Sequence, residues 1–245
     1  MLIDVHNHIL PGIDDGAGDI MESRKMLDIA VGEKIDAIIT TPHFECGMMD
    51  QAVIEKRAAA FESLSQYIQK AKLPVALYPG NELFYSEGII EALDLGDALT
   101  LNHTRYVLVE FPVYEEFSYI RRAVQKLRYA GYLPVLAHVE RYENLLKEEK
   151  IAEIVNIGAY IQVNASSLTG RAGWQMRRFL LRLARRDLIH FIGTDAHGWE
   201  HRRPKMQECL AYLEKKAGKD CVRSITRDNP EKLLRGENIS GEVRN

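Results

Sequence analysis

This chain of 245 residues has few of the devices that would stabilise it from outside its own core or tie it to a membrane. Cys46, Cys209 and Cys221 are an odd number without paired spacing, which argues against a disulfide framework. No apolar run at the N-terminus resembles a signal peptide, so a reducing, cytoplasmic compartment is expected. Nor does any stretch approach the roughly 18 uninterrupted apolar residues of a membrane span. An excess of positive charge is also missing: the formal net charge is -3, with basic residues mostly spread among acidic ones, so no nucleic-acid footprint is expected. Neither GNELF nor GAGD matches a phosphate-cradling glycine fingerprint, and no nucleotide cofactor is implied.

What the chain does have is a hydrophobic content of 46%, enough for a sizeable core, arranged as an alternation of short apolar runs and longer amphipathic ones. Strands are predicted over 2–5, 36–41, 75–80, 106–111, 133–138, 159–164 and 188–193. Helices are predicted over 19–32, 50–71, 116–130, 147–157, 173–186, 204–217 and 229–235. Seven β–α units without a linker point to one domain over residues 1–245, with 237–245 as a flexible tail. Runs such as AIIT and VLAH are apolar on both faces, which suits parallel strands covered by helices. The Arg-rich stretch 171–187 interleaves Trp, Met and Leu at helical spacing and reads as a helix with solvated arginines. An anionic membrane or acidic partner surface is the competing reading.

Polar residues collect where the apolar runs end: His6 and His8, His43, Glu82, Glu110, His138, and Asp195 with His197. In a β/α barrel all these strand ends converge on one face, whereas an open sheet would gather only some of them, so a barrel-like closure is expected. Residues i and i+2 of a strand share a face, which lets His6 and His8 both turn inward and Asp195 and His197 do the same. The Gly12–Gly16 turn can aim Asp14 inward, although Pro, Gly and Asp there also make an ordinary turn. Imidazoles mixed with carboxylates suit Zn, Mn or Fe, and no cysteine is among them. Nine donors exceed the needs of one ion, so two or three bridged ions are expected. His103 and His190 are read as non-ligands and His201 as solvated or lining the mouth.

Arg141, Arg202 and Arg203 follow donor residues on loops at the same face, where a planar charged fork can hold phosphate oxygens. Asn164 either orients a donor or caps the next helix. Cys221–Arg227 has the bare C-x5-R spacing of cysteine-dependent phosphatases. No glycine lies between the two residues and no strong strand precedes them, so Cys221 is read as a small core residue. The parts fit phosphomonoester hydrolysis, with a metal-bound water, His43 or His201 as a proton donor to a poor leaving group.

IDVHNHILPGIDDG, TPHF, GNEL, VLVEFP, PVLAHVERY, IQVNASSLTG and GTDAHG together resemble the polymerase and histidinol phosphatase (PHP) superfamily. Within it, the chain is most similar to the bacterial metal-dependent protein-tyrosine phosphatases of capsular and exopolysaccharide synthesis, over about residues 1–236. That resemblance implies a distorted (β/α)7 TIM-like barrel, the PHP fold, with a trinuclear centre, usually manganese-activated (Mn2+), although Fe, Zn or Mg also fit the donors. It implies His6, His8, Glu82 and Asp195 on one ion, Glu82, Glu110 and His138 on a second, and Asp14, His43 and His197 on a third. Arg141 matches the family's phosphate-binding arginine. The second arginine is open between Arg202, by count from His197, and Arg203, which precedes proline. The implied partner is a phosphotyrosine-containing protein, the tyrosine-rich C-terminal tail of a bacterial tyrosine kinase. A small-molecule phosphatase such as one for histidinol phosphate, a nuclease, and a non-catalytic regulatory barrel are the alternatives.

Overall fold

In the computed structural model, which describes residues 1–48 and 50–239, nine strands form seven parallel staves. They are β1 (Ile3–Asn7), β2 (Ala37–Thr40), β3 (His43–Phe44), β4 (Ala76–Pro79), β5 (Glu82–Phe84), β6 (Tyr106–Glu110), β7 (Leu133–Leu136), β8 (Tyr160–Asn164) and β9 (Phe191–Gly193). One ribbon runs β1–β2–β4 and the other β3–β5–β6–β7–β8–β9, every pairing parallel. β2 and β3 are halves of one stave, as are β4 and β5. The breaks fall at Thr41–Pro42 and at Gly80–Asn81, where the Asn81 side chain stands in for lost ladder bonds by donating to the Pro42 carbonyl at 2.8 Å. The ring closes between the last and first strands: Asp195 N donates to His6 O at 2.8 Å and His8 N to Ala196 O at 2.9 Å. The expected α/β barrel of seven units is therefore present, in distorted form.

Strand alternation divides the core in two. Leu136, Ile161, Val163 and Ile192 pack outward on the helices, while Ile3, Val5, Ile39, Leu108, Val135 and Phe191 fill the enclosed side. The helix Phe117–Tyr129 shows why these segments coil: Ile120, Ala123, Val124 and Leu127 make one buried stripe. Burying each of its Ile, Val and Leu side chains stabilises the fold by roughly 1.5–3 kcal/mol. The helix Ile20–Gly32 is started by Asp19, whose carboxylate accepts from Met21 N and Glu22 N. The Arg-rich segment forms the helix Trp174–Arg185, with Phe179, Leu180 and Leu183 buried.

Element boundaries agree with the sequence reading to within a few residues, and the differences have local causes. The helix expected from 204 begins at Gln207, because Pro204 precedes it and Glu33 caps Met206 N and Gln207 N at 3.0 and 2.8 Å from across the fold. The last strand begins at Phe191 rather than 188. Short helices at Ile89–Leu95, Ala165–Leu168 and Lys219–Arg223 were not foreseen. Of the expected flexible tail, residues 237–239 are held against the barrel floor: Tyr106 Oη donates to Glu237 O at 2.8 Å, and Ile239 joins the enclosed core. The remainder, 240–245, lies outside the described residues.

Candidate metal centre and anion site

The first two histidines reach the barrel mouth through a defect in β1. Asp4 pairs with Ile38 and Asn7 with Thr40, so β1 has one residue more than β2 across the same span. That bulge reverses the parity of the strand: Ile3 and Val5 face the enclosed core, and His6 and His8 then face the mouth. Gly193 makes room for this, since a Cβ there would lie 2.5 Å from His6 Cβ. Gly16 does the same where the following turn folds back over His8, because a Cβ at that position would come within 2.1 Å of the His8 carbonyl oxygen.

Register supplies the carboxylates. His43 pairs with Glu82 and Phe84 with Glu110, so both acids flank one imidazole: His43 Nδ1 lies 3.2 Å from an oxygen of each. His138 and Asp195 come from the opposite side, just past β7 and β9, both with left-handed backbone at φ 33° and 51°. Such conformations are costly for residues with a Cβ and concentrate at functional sites. Here they are held by His138 N donating to Gln162 Oε1 at 2.6 Å and by the closure bond to His6 O.

Four groups of donor atoms result: His6–His8–Asp195, His6–Glu82–His138, His43–Glu82–Glu110 and His8–Asp15–His43–His197. Eight of the nine donors named from sequence are brought together in these groups. Asp14 stands differently. Its Oδ2 lies 2.7 Å from His8 Nδ1 and accepts from His43 N at 3.0 Å, while its Oδ1 accepts from Gly16 N. The carboxylate facing His43 and His197 is Asp15, at 3.4 and 3.3 Å. Adjacent aspartates in a turn cannot be told apart by pattern, because their direction depends on where the turn closes.

The chemistry of the donors fits divalent ions. His8 Nδ1 faces the Asp14 carboxylate and His6 Nδ1 the Gln162 carbonyl at 3.2 Å, so in the neutral ring each Nδ1 carries the proton and each Nε2 is left free to bind an ion. Those two Nε2 atoms lie 3.1 Å apart. Glu82 Oε2 sits 3.1 and 3.2 Å from them, and Asp195 Oδ1 sits 3.5 and 3.6 Å away. Both oxygens are buried and lack an aligned hydrogen bond among the described residues. Lone pairs and anionic oxygens aimed at one point repel unless a cation lies between them.

Without an ion, protons on the imidazoles balance the carboxylates instead. Burial alone would lower His6 and His43, but Glu82 and Asp195 around His6, and Glu110 and Glu82 around His43, hold both up at about 9. His8 is also raised, against its burial, by Asp14 and Glu82. Burial works against the charge of Glu82 and Asp195 too, yet His6 and His138 hold Glu82, and His6 and Arg141 hold Asp195, well below the usual carboxylate range. His197 is lowered to about 4 by burial and by its neighbour His8.

Beside the clusters, Arg141 bonds Asp195 Oδ2 and Arg202 lies 2.7 Å from Asp195 Oδ1. Arg203 turns away, and its Nε donates to the Glu200 carbonyl. Of the two adjacent arginines, Arg202 is the one that reaches Asp195, and it adopts φ 47° there. Asn164 orients rather than caps: its Nδ2 donates to Asp195 Oδ2 at 2.7 Å. His201 lines the adjoining cavity; His103 is exposed on a distant turn, and buried His190 accepts from Ile161 N. Cys221 lies in the short helix Lys219–Arg223, not on a phosphate-cradling loop, and its Sγ donates to Ala184 O. Besides Asp15, the sequence reading missed Gln162, which holds both His6 and His138, and Asp4. The fully buried Asp4 carboxylate accepts from Thr194 N, Thr194 Oγ1 and Asn7 Nδ2. Inward alternation along IQVN was the available signal for Gln162.

A closed ring of parallel strands with imidazole, carboxylate and guanidinium at the strand ends defines a class of β/α-barrel folds. Histidinol phosphate phosphatase from Lactococcus lactis shares this fold, with a TM-score of 0.55 at 14% identity over 95% of this chain and 92% of that one. Within that class, the family model for capsular polysaccharide synthesis proteins, CpsB/CapC, matches residues 2–235, and the chain belongs to this family. It is 37% identical to the tyrosine-protein phosphatase YwqE of Bacillus subtilis over 97% of this chain and 93% of the relative. Identity to the tyrosine-protein phosphatase CpsB of Streptococcus pneumoniae is 29%, over 95% and 98%. A chain from the crystal structures of YwqE and CpsB, described as unique metal-dependent tyrosine phosphatases, superposes with a TM-score of 0.88 at 36% identity, covering 97% of this chain and 96% of that one.

Proposed function

We propose that this chain is a metal-dependent protein-tyrosine phosphatase. The observation that carries the reading is the convergence of Arg141 and Arg202 on Asp195 at the edge of four imidazole–carboxylate groups. His6, His8, Glu82 and Asp195 would hold one ion, Glu82, Glu110 and His138 a second, and Asp15, His43 and His197 a third. Bound there, divalent ions supply hydroxide at neutral pH and neutralise charge on phosphoryl oxygens. The two guanidinium groups present planar donors to the remaining phosphoryl oxygens and stabilise the charge that develops there. Asn164 and Gln162 keep Asp195, His6 and His138 in position. A phenolate leaves with little help, and His201, on the cavity wall, is the histidine left to protonate it, since His43 belongs to the donor groups.

The names of the relatives support phosphotyrosine over other phosphomonoesters. Manganese as the resident ion, the C-terminal tail of a bacterial tyrosine kinase as substrate and a cytoplasmic location complete the reading on the strength of the family resemblance. No helix among the described residues is long and apolar enough to cross a membrane, in keeping with it. Purified protein in Mn2+ should hydrolyse an aryl phosphate and a phosphotyrosyl peptide far faster than histidinol phosphate, and EDTA should abolish both activities. Turnover that survived chelation and disappeared in Cys221→Ser would overturn the proposal.

A further inference from the structure

The donor groups occupy only one end of a larger depression. A cavity of about 830 Å³ opens from Asp195, Arg141, Asn164 and Arg202 and continues along the loop after β8 to Arg171 and along the loop after β9 to Arg203 and Lys205. Arg171, Arg203 and Lys205 are exposed, and none of the three forms an ion pair among the described residues. Of the carboxylates on the same wall, Glu140 is buried against Asn164 N, while Glu200 and Glu208 pair with no cation among the described residues and offset part of this charge. The chain as a whole is net acidic at -3, whereas on this wall, among the described residues, three cations stand against two free carboxylates. Hydroxyl groups of Ser166 and Thr169 line the same stretch.

We propose that this extension is an anion subsite, one that selects phosphotyrosines flanked by a second negative group on the same polypeptide. The inference rests on the phosphatase reading above and refines its substrate class. With Arg141 and Arg202 engaged by the scissile phosphoryl group, Arg171, Arg203 and Lys205 lie where a neighbouring part of the substrate passes. Two guanidinium forks and an ammonium group on flexible side chains bind a carboxylate or a phosphoryl group alike, so the two sources must be separated by the substrate offered.

The test compares kcat/KM of the full chain in Mn2+ for three phosphotyrosyl peptides: one with neutral flanks, one with Asp and Glu flanks, and one with a second phosphotyrosine. Either anionic peptide should exceed the neutral one by about five- to tenfold, mostly through KM and less so at high salt. Preference for the doubly phosphorylated peptide alone assigns the subsite to phosphate, and preference for the acidic one alone assigns it to carboxylate. In the double variant Arg171→Glu/Lys205→Glu the ratio of anionic to neutral peptide should fall to about one. Equal turnover of all three peptides by the wild type, or a ratio unmoved in the double variant, overturns the subsite and leaves the phosphatase reading standing. No turnover even of an aryl phosphate overturns both.

Discussion

The Nε2 atoms of His6 and His8 face each other at 3.1 Å while each ring is held from behind, His6 by Gln162 and His8 by Asp14. An imidazole whose rear nitrogen is fixed presents a lone pair in one direction. Releasing the ring costs metal affinity without removing a ligand. Gln162→Ala should therefore weaken binding of the most tightly held ion by about 10- to 100-fold. Titration with Mn2+ against a competing chelator reads this directly, and an unchanged affinity would show that Gln162 is only a core residue.

Asp14 and Asp15 should separate cleanly. Asp15→Asn removes the carboxylate between His43 and His197, so metal analysis should find one ion fewer per chain. Asp14→Asn leaves the donor count intact and instead loosens His8 and the His43 amide. It should keep the stoichiometry and weaken affinity. Reversed outcomes would return Asp14 to the role first expected of it.

The two guanidinium groups on Asp195 are expected to matter through transition-state charge. Arg141→Ala and Arg202→Ala should each lower kcat for an aryl phosphate by about 10²- to 10³-fold. Arg203→Ala, whose side chain binds a backbone carbonyl, should lose less than about tenfold. Steady-state kinetics of the three variants decides between the arginines.

Without metal, the protein should be most stable near pH 6.5. His6, His8 and His43 are raised, to about 9 for His6 and His43, so the folded chain keeps protons that the unfolded chain releases. Their stabilisation is complete below pH 6.5 and lost as pH rises toward 9. His190 and His197, both near 4, act in the other window: the unfolded chain binds their protons first, and stability falls as pH drops from 6.5 to 4. Glu82 and Asp195, lowered in the fold, add to the acid loss, while Asp4 and Glu140, raised by burial, oppose part of it. Melting temperatures in EDTA should show both limbs. Saturating Mn2+ should flatten the alkaline one, because bound imidazoles are already unprotonated. A melting temperature that climbed from pH 7 to 9 in EDTA would contradict this.

Gly193→Ala should destabilise by about 1–3 kcal/mol, because the new methyl meets His6 Cβ across the barrel seam. Metal binding should weaken with it, as His6 is pushed off its position. Calorimetry of the variant with and without Mn2+ measures both effects.

Along the chain, the alternation of apolar runs and amphipathic stretches determined the seven-fold α/β architecture, since a period of two or 3.6 is a local property that burial must satisfy. The donor types were equally legible, because a polar residue at the end of an apolar run has few other uses. Direction was not. The extra residue in β1 that turns His6 and His8 to the mouth, the turn that points Asp15 rather than Asp14 at His43 and His197, and the left-handed backbone that brings Arg202 to Asp195 all depend on register and ring closure. A shift of one residue reverses a side chain's face at no change in composition, so only the assembled barrel decided which of the available groups meet.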